Sequence, residues 1–217
     1  MPIKENISAI KNQLPREVTL IAVSKTKSNE AIKEAYDAGQ RDFGENRVQE
    51  LIPKYEALPE DIRWHLIGHL QSNKVKYIAP FVHLIHSVDS ENLLSEINKQ
   101  AQKNNRIIPV LLQIFIAQEE TKFGFSFEEA EKFMNDHPEK KYPHVKISGM
   151  MGMATNTEDE NQVRKEFLSL KNLFDQFRTQ NSELKILSMG MSSDWKMAVE
   201  EGSTMIRVGS FIFGERE

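Results

Sequence analysis

The 217-residue chain contains no cysteine. Disulfides, thiolate metal sites and cysteine nucleophiles are therefore excluded, and the absence fits a reducing compartment. No apolar run approaches the roughly 20 residues that cross a bilayer. The opening Met1-Pro2-Ile3-Lys4-Glu5-Asn6 lacks the long apolar stretch of a signal peptide. The cytoplasm is the expected compartment, and no membrane partner is expected. Charge of one sign is also lacking: 28 basic residues face 32 acidic ones, for a formal charge of -4. Without a basic block or an aromatic–basic stripe, nucleic acid is not an expected partner. There is no glycine-rich dinucleotide fingerprint. No Pro/Gly/Ser-rich linker divides the chain, so residues 1–217 read as one domain.

What is present is a regular alternation. Short apolar runs at Val18–Val23, Asp42–Gly44, Arg63–Ile67, Leu84–Ser87, Ile107–Ile116, Lys146–Met151, Leu184–Met189 and Thr204–Val208 read as strands. Amphipathic stretches between them read as helices: Ser28–Ala38, Asn46–Ala57 with Pro53 as a kink, Asn73–Ile78, Ser90–Lys103, Ser126–Asn135, Asp159–Arg178 and Ser193–Glu200. Another helix is expected near Ile3–Leu14. Ser126-Phe127-Glu128-Glu129 has the form of a capping box. Val163, Phe167, Leu170, Phe174 and Phe177 follow helical spacing. About eight strands, each trailed by a helix, predict an α/β protein with a (β/α)8 TIM-type barrel and an extra N-terminal helix. A barrel needs about 200 residues, so one fits with little left over. A doubly wound open sheet is the alternative.

Lys25 ends the first run, in Ala22-Val23-Ser24-Lys25-Thr26-Lys27. Such folds hold their chemistry at the C-terminal strand ends. A lysine partly shielded there loses its proton more easily and can attack a carbonyl as a free amine. The plain alternative is a lysine that snorkels to solvent. Polar and glycine residues gather after other strands too. Phe43-Gly44-Glu45-Asn46 offers Glu45 and Asn46 to a ligand, or Asn46 as a helix cap. Ser188-Met189-Gly190-Met191-Ser192-Ser193-Asp194 runs into a helix start, whose backbone N–H groups favour anions. Gly209-Ser210 gives a second close backbone approach beside a hydroxyl. Phosphate sites in these barrels lie after strands seven and eight. Two such segments suggest a phosphate; one cap and one tight turn would explain them as well.

Arg207 lies inside the last strand, where a guanidinium must pair or leave the core. It can reach a carboxylate or a ring acceptor of a ligand, and it can only donate. His65 and His69 flank Gly68; the strand context spoils the helical face that a His-xxx-His metal pair needs. No metal is expected, and His65 reads as a barrel histidine or a ligand-wall residue. Met150, Met151, Met153, Met189 and Met191 read as packing around a ligand or core. Glu119 and Glu120 read as loop surface.

Together these segments resemble the YggS/PROSC family of pyridoxal phosphate homeostasis proteins. Those carrying the resemblance are Ala22 to Lys27, Phe43 to Asn46, Trp64-His65-Leu66-Ile67-Gly68-His69-Leu70-Gln71-Ser72-Asn73-Lys74, Lys122-Phe123-Gly124, Ser188 to Ser192, and Gly202 to Gly209. The resemblance covers about Leu20 to Glu215. It implies a barrel like the N-terminal domain of alanine racemase, the fold-type III pyridoxal-phosphate architecture. It implies pyridoxal 5'-phosphate held as a Schiff base on Lys25, with Arg207 facing the pyridine nitrogen. Ser188, Gly190 and Ser192, with Gly209 and Ser210, would hold the phosphate. Asn46 would lie beside the ring, and His65 would line the same wall. Ser210 stands where the family often has threonine, which keeps the hydroxyl. Trp195 stands where a smaller aromatic or a methionine is commoner.

A racemase of the related type needs a second acid/base group, a tyrosine set by a second β-rich domain of a partner subunit. This chain has no residues left for such a domain. Its four tyrosines, Tyr36, Tyr55, Tyr77 and Tyr142, fall in helices or a loop. Arg207 would also keep the ring nitrogen unprotonated and weaken the electron sink. The expectation is a non-catalytic carrier that buffers or delivers pyridoxal phosphate and affects amino-acid and keto-acid pools. Pyridoxal-phosphate-dependent apoenzymes are its candidate recipients. Without the dimer-building domain, a monomer is expected. The alternatives are an amino-acid racemase using Lys25, and a Schiff-base aldolase, which the barrel alone permits.

Overall fold

The computed structural model describes residues 2–118 and 123–214; Glu119, Glu120 and Lys122 lie outside them. Eight strands, β1 (Thr19–Val23), β2 (Asp42–Glu45), β3 (Arg63–Leu66), β4 (Leu84–Val88), β5 (Ile108–Gln113), β6 (Val145–Met151), β7 (Ile186–Ser188) and β8 (Met205–Val208), pair in sequence order into a closed barrel. Every pairing is parallel, and β1 closes on β8 with Ile21 opposite Arg207. Helix α1 (Ile3–Lys11) precedes the barrel. The crossovers carry α2 (Asn29–Asp37), α3 (Val48–Ala57), α4 (Val75–Ile78), α5 (Glu91–Lys103), α6 (Phe127–Asn135), α7 (Pro138–Lys141), α8 (Glu160–Arg178) and α9 (Trp195–Glu200). A last short helix, α10 (Ser210–Phe213), follows β8.

Local chemistry explains the helix starts. Ser28 accepts from Ala31 N, Ser90 from Leu93 N, and Asp159 from Asn161 N and Gln162 N. Ser126 and Glu129 form a reciprocal capping box. Each cap contributes on the order of 1 kcal/mol. Helix α3 runs through Pro53 without ending there. Ser72–Lys74 forms a 3-10 turn ahead of α4. The expected strand Ile107–Ile116 is shorter: Ile107 is 62% exposed, and Ile114, beyond the end of β5, bridges Phe125. Helices α7 and α10 have four residues each, too few for a periodic signal.

The core has two parts. The larger fills the layer between the outer barrel face and the helices, including Val163, Phe167, Leu170, Phe174 and Phe177 of α8. The smaller joins Ile21, Leu84, Leu111, Met151 and Met205. These come from five strands and can meet only inside the barrel. Barrel interiors are usually filled by branched aliphatics. Here polar side chains share the interior: Asp42, His65, His86, Ser188 and Arg207 are all buried. Gly149 lets β6 approach β7, because a Cβ there would lie 1.7 Å from Ile186 O.

Candidate functional site

A cavity of about 440 Å3 opens at the C-terminal ends of the strands. Residues after β1, β2, β3, β6, β7 and β8 contribute to its wall, as does Gln113 at the end of β5. Lys25, Lys27 and Arg207 line it, and no carboxylate does among the described residues. Such a lining selects an anion.

Lys25 is half-buried in a tight turn just past β1. Lys27 N donates to Ser24 O at 3.0 Å, closing the turn. Thr26 has φ 64, a left-handed conformation that is strained for a β-branched residue. Its N–H donates to Glu50 Oε2 at 2.9 Å. Behind the turn, on the outer barrel face, Lys54 Nζ donates to Ser24 O at 2.8 Å and to Glu45 Oε1 at 2.7 Å. Ser24 Oγ donates to the same Glu45 oxygen at 2.6 Å. Burial pushes the Glu45 carboxyl up, against these hydrogen bonds, and Glu45 Oε2 has no hydrogen-bond partner. The backbone beside Lys25 is thus gripped from the helix layer.

Arg207 is 4% exposed. Its Nη1 donates to Ser188 Oγ at 2.6 Å and its Nη2 to Gly152 O at 3.1 Å. Burial pushes the guanidinium down to about 10, against the field of Asp194. It stays protonated at neutral pH and has further N–H donors for a ligand. The segments after β7 and β8 meet: Gly209 N donates to Ser192 Oγ at 3.2 Å. Met191 N donates to Asp194 Oδ1 at 2.5 Å, which shapes the loop ahead of α9.

Of the nine residues expected at the cofactor, Lys25, Asn46, Ser192, Arg207, Gly209 and Ser210 line this cavity. Asn46 is not the cap of α3; Arg47 holds that position. Three others lie elsewhere. His65 is 1% exposed and points down the barrel axis, with Nε2 at 3.1 Å from Asp42 Oδ1 and Nδ1 at 3.0 Å from His86 Nε2. It lies two residues before Ile67, which does line the cavity. That spacing keeps the face but lowers the side chain by about 7 Å. Ser188 is likewise interior and holds Arg207 instead of opening on the cavity. Gly190 turns away with φ 95, and a Cβ there would lie 2.6 Å from Ala198 Cβ on α9. Its role is close packing.

Further residues line the cavity as well. His69, weighed only as half of a metal pair, lines the cavity, stacks on Phe123 and bonds Asp89 at 3.0 Å. Gln113 Nε2 donates to Phe123 O at 2.6 Å. Met153 and Met191 line the cavity, while Met150, Met151 and Met189 are core. His86 carried a signal that was overlooked, a lone imidazole within the aliphatic strand Leu84-Ile85-His86-Ser87-Val88. At the opposite end of the barrel, Asp42, His65 and His83 bring ligand-type atoms within 4.8 Å of one another. Arg63 already engages both Asp42 oxygens, at 2.7 and 2.5 Å, so a fixed cation sits where a metal would.

A family model described as the N-terminal domain of alanine racemase matches residues 2–217. A pyridoxal phosphate homeostasis protein of Aquifex aeolicus is 45% identical over 200 residues, covering 91% of this chain and 87% of the relative. Another, from Vibrio alginolyticus, is 37% identical and covers 99% and 98%. The structure of PipY of Synechococcus elongatus solved with PLP bound superposes with a TM-score of 0.88 at 38% identity, over 98% of this chain and all of that one. An alanine racemase of Clostridium difficile superposes with a TM-score of 0.82 at 18% identity, over 99% of this chain but 56% of the racemase. That last likeness concerns the fold alone.

Proposed function

The chain belongs to the alanine racemase N-terminal-domain family and to its pyridoxal phosphate homeostasis proteins, and from that membership we propose that it binds pyridoxal 5'-phosphate and serves the homeostasis of that cofactor. When bound, the group supplies an aldehyde that condenses with a primary amine and releases water. Lys25 is the amine that holds it as a Schiff base. Arg207 donates toward the pyridine nitrogen and, as an obligate donor, leaves that nitrogen without a proton. Ser192, Ser210 and the Gly209 backbone serve the phosphate, and Asn46 lies beside the ring. The observation that carries this reading is the lining at one end of the barrel: two lysines, a guanidinium and hydroxyls, with no carboxylate among the described residues.

The protein holds and releases the cofactor without turning over amino acids. In support, none of its four tyrosines lines the cavity. It acts as a monomer in the cytoplasm and hands the cofactor to pyridoxal-phosphate-dependent apoenzymes. No helix among the described residues is long and apolar enough to cross a membrane. The racemase alternative draws on His69, a second proton carrier at the cavity.

A visible spectrum of the loaded protein, before and after borohydride, tests the reading. A yellow band should become a stable reduced adduct, and Lys25→Ala should lose it while keeping the wild-type melting temperature. An adduct persisting in Lys25→Ala would refute the role of Lys25. Sustained conversion of L- to D-alanine would replace the carrier reading with the racemase one.

A further inference from the structure

Five buried side chains from five strands form one hydrogen-bonded line through the barrel. Arg207 Nη1 donates to Ser188 Oγ at 2.6 Å, and Ser188 Oγ lies 3.2 Å from His86 Nδ1. His86 Nε2 lies 3.0 Å from His65 Nδ1, and His65 Nε2 lies 3.1 Å from Asp42 Oδ1. One end borders the ligand cavity through Arg207. The other end, with Asp42 and His65, lines a separate opening at the N-terminal strand ends beside Arg63 and His83.

The chemistry of the two ends fixes the direction of every bond between. A guanidinium only donates and an ionised carboxylate only accepts. Asp42 is kept ionised: burial pushes its carboxyl up, but the hydrogen bonds of Arg63 and His65 outweigh this and hold it well below the usual carboxylate range. Ser188 accepts from Arg207, and its one proton goes to His86 Nδ1, which is bare when a neutral His86 carries its proton on Nε2. His86 then carries its proton on Nε2 and donates to His65 Nδ1. His65 carries its proton on Nε2 and donates to Asp42. The reverse order would point the His65 lone pair at the carboxylate. Burial lowers the basicity of both rings, which suits neutral links. Each bond made in one direction strengthens the next. Ser188 is therefore a better acceptor for Arg207 than an isolated hydroxyl.

We propose that Asp42, His65, His86 and Ser188 form a positioning chain that fixes the Arg207 guanidinium and couples the far opening of the barrel to the ligand cavity. Among the described residues, the two hydrogen-bond partners of Arg207, Ser188 Oγ and Gly152 O, are both uncharged, so a charge further along the line strengthens its hold. The chain's effect on a pyridine ring nitrogen rests on the function proposed above; its effect on Arg207 does not.

Side-chain nitrogen NMR of the unloaded protein tests the chain without any cofactor. His65 and His86 should both be neutral with the proton on Nε2 at pH 7. Rotation of the Arg207 guanidinium should be slow in wild type, fast in Ser188→Ala and slow again in Ser188→Thr. Asp42→Asn, which removes only the terminal charge, should speed it as well. Either ring protonated on Nδ1, or unchanged Arg207 rotation in both Ser188→Ala and Asp42→Asn, overturns the proposal. Should Ser188→Ala not fold, Asp42→Asn against wild type decides. With pyridoxal phosphate labelled at its ring nitrogen, that resonance should move in Ser188→Ala and return in Ser188→Thr. Release should quicken about tenfold in Ser188→Ala, as for one lost charge-assisted hydrogen bond. A wild-type protein that takes up no cofactor would end the functional reading and leave the unloaded comparison standing.

Discussion

Lowering the pH from 7.5 to 5.5 should weaken the barrel through His65 and His86. Both are buried and hydrogen-bonded as neutral rings, and burial lowers both below their ordinary value. In the unfolded chain each titrates near 6.5. Below that pH the unfolded chain takes up protons that the folded barrel refuses, so the contribution is intact above about 6.5 and is lost as pH falls. A ring that stays neutral when folded costs about 1.4 kcal/mol on going from pH 7.5 to 5.5. His65 is lowered as well, and burial lowers His83 to about 4, so both add to the loss in the same direction. Glu45 works in the opposite direction. Its carboxyl is raised by burial, so the folded state takes up that proton first and gains stability as pH falls. Comparing slopes separates the two. Urea unfolding followed by circular dichroism at pH 7.5, 6.5 and 5.5 should show the loss in wild type and a smaller loss in His86→Gln. An equal pH slope in the two proteins would refute the account of buried neutral rings.

Three further changes probe the frame around the site. Lys54→Met leaves the buried Glu45 carboxylate without its counter-charge, with Ser24 Oγ still donating to it, and should cost about 3–5 kcal/mol at pH 7.5. Burial raises the Glu45 carboxyl, so the cost should shrink as pH falls, and a pH-independent cost in thermal melts would count against that account. Gly149→Ala drives a Cβ to 1.7 Å from Ile186 O and should cost more than about 4 kcal/mol; a wild-type melting temperature would overturn the close β6–β7 approach. Ser192→Ala combined with Ser210→Ala removes two hydroxyls from the cavity wall and should speed pyridoxal phosphate release at least about tenfold. Unchanged release would place the phosphate elsewhere.

Strand positions were legible because each strand is a short apolar run ending where polar residues begin. The closed barrel followed from their number and their alternation with helices. Lys25 and Asn46 could be placed because the period of two in a strand sends Val23 and Lys25, or Gly44 and Asn46, to one face. The same period does not report depth along the barrel axis. His65 and Ile67 share a face, yet only Ile67 reaches the cavity. Ser188 was misplaced for the same reason: its face was right and its layer was one too low. His86 was missed because a strand buried on both faces has no polar alternation against which an imidazole stands out. Its partners, His65 and Ser188, lie 21 and 102 residues away in sequence. Only barrel closure brings them together. His69 reached the site through Phe123, from a segment with no regular structure to read.

The grip of Lys54 on the Ser24 carbonyl has a consequence for how long a ligand stays. A covalent bond that water can undo breaks repeatedly. What keeps the partner in place is recapture before escape. Recapture depends on the effective molarity of the amine at the aldehyde, which is high only while the backbone carrying Lys25 cannot drift. That backbone is tied down by an ammonium on α3, on the outer face of the barrel and away from the ligand. Residence time is therefore set in part by a lysine buried between α3 and the barrel. A substitution that released Ser24 from Lys54 would shorten it without touching the lysine that holds the ligand or the residues that recognise it.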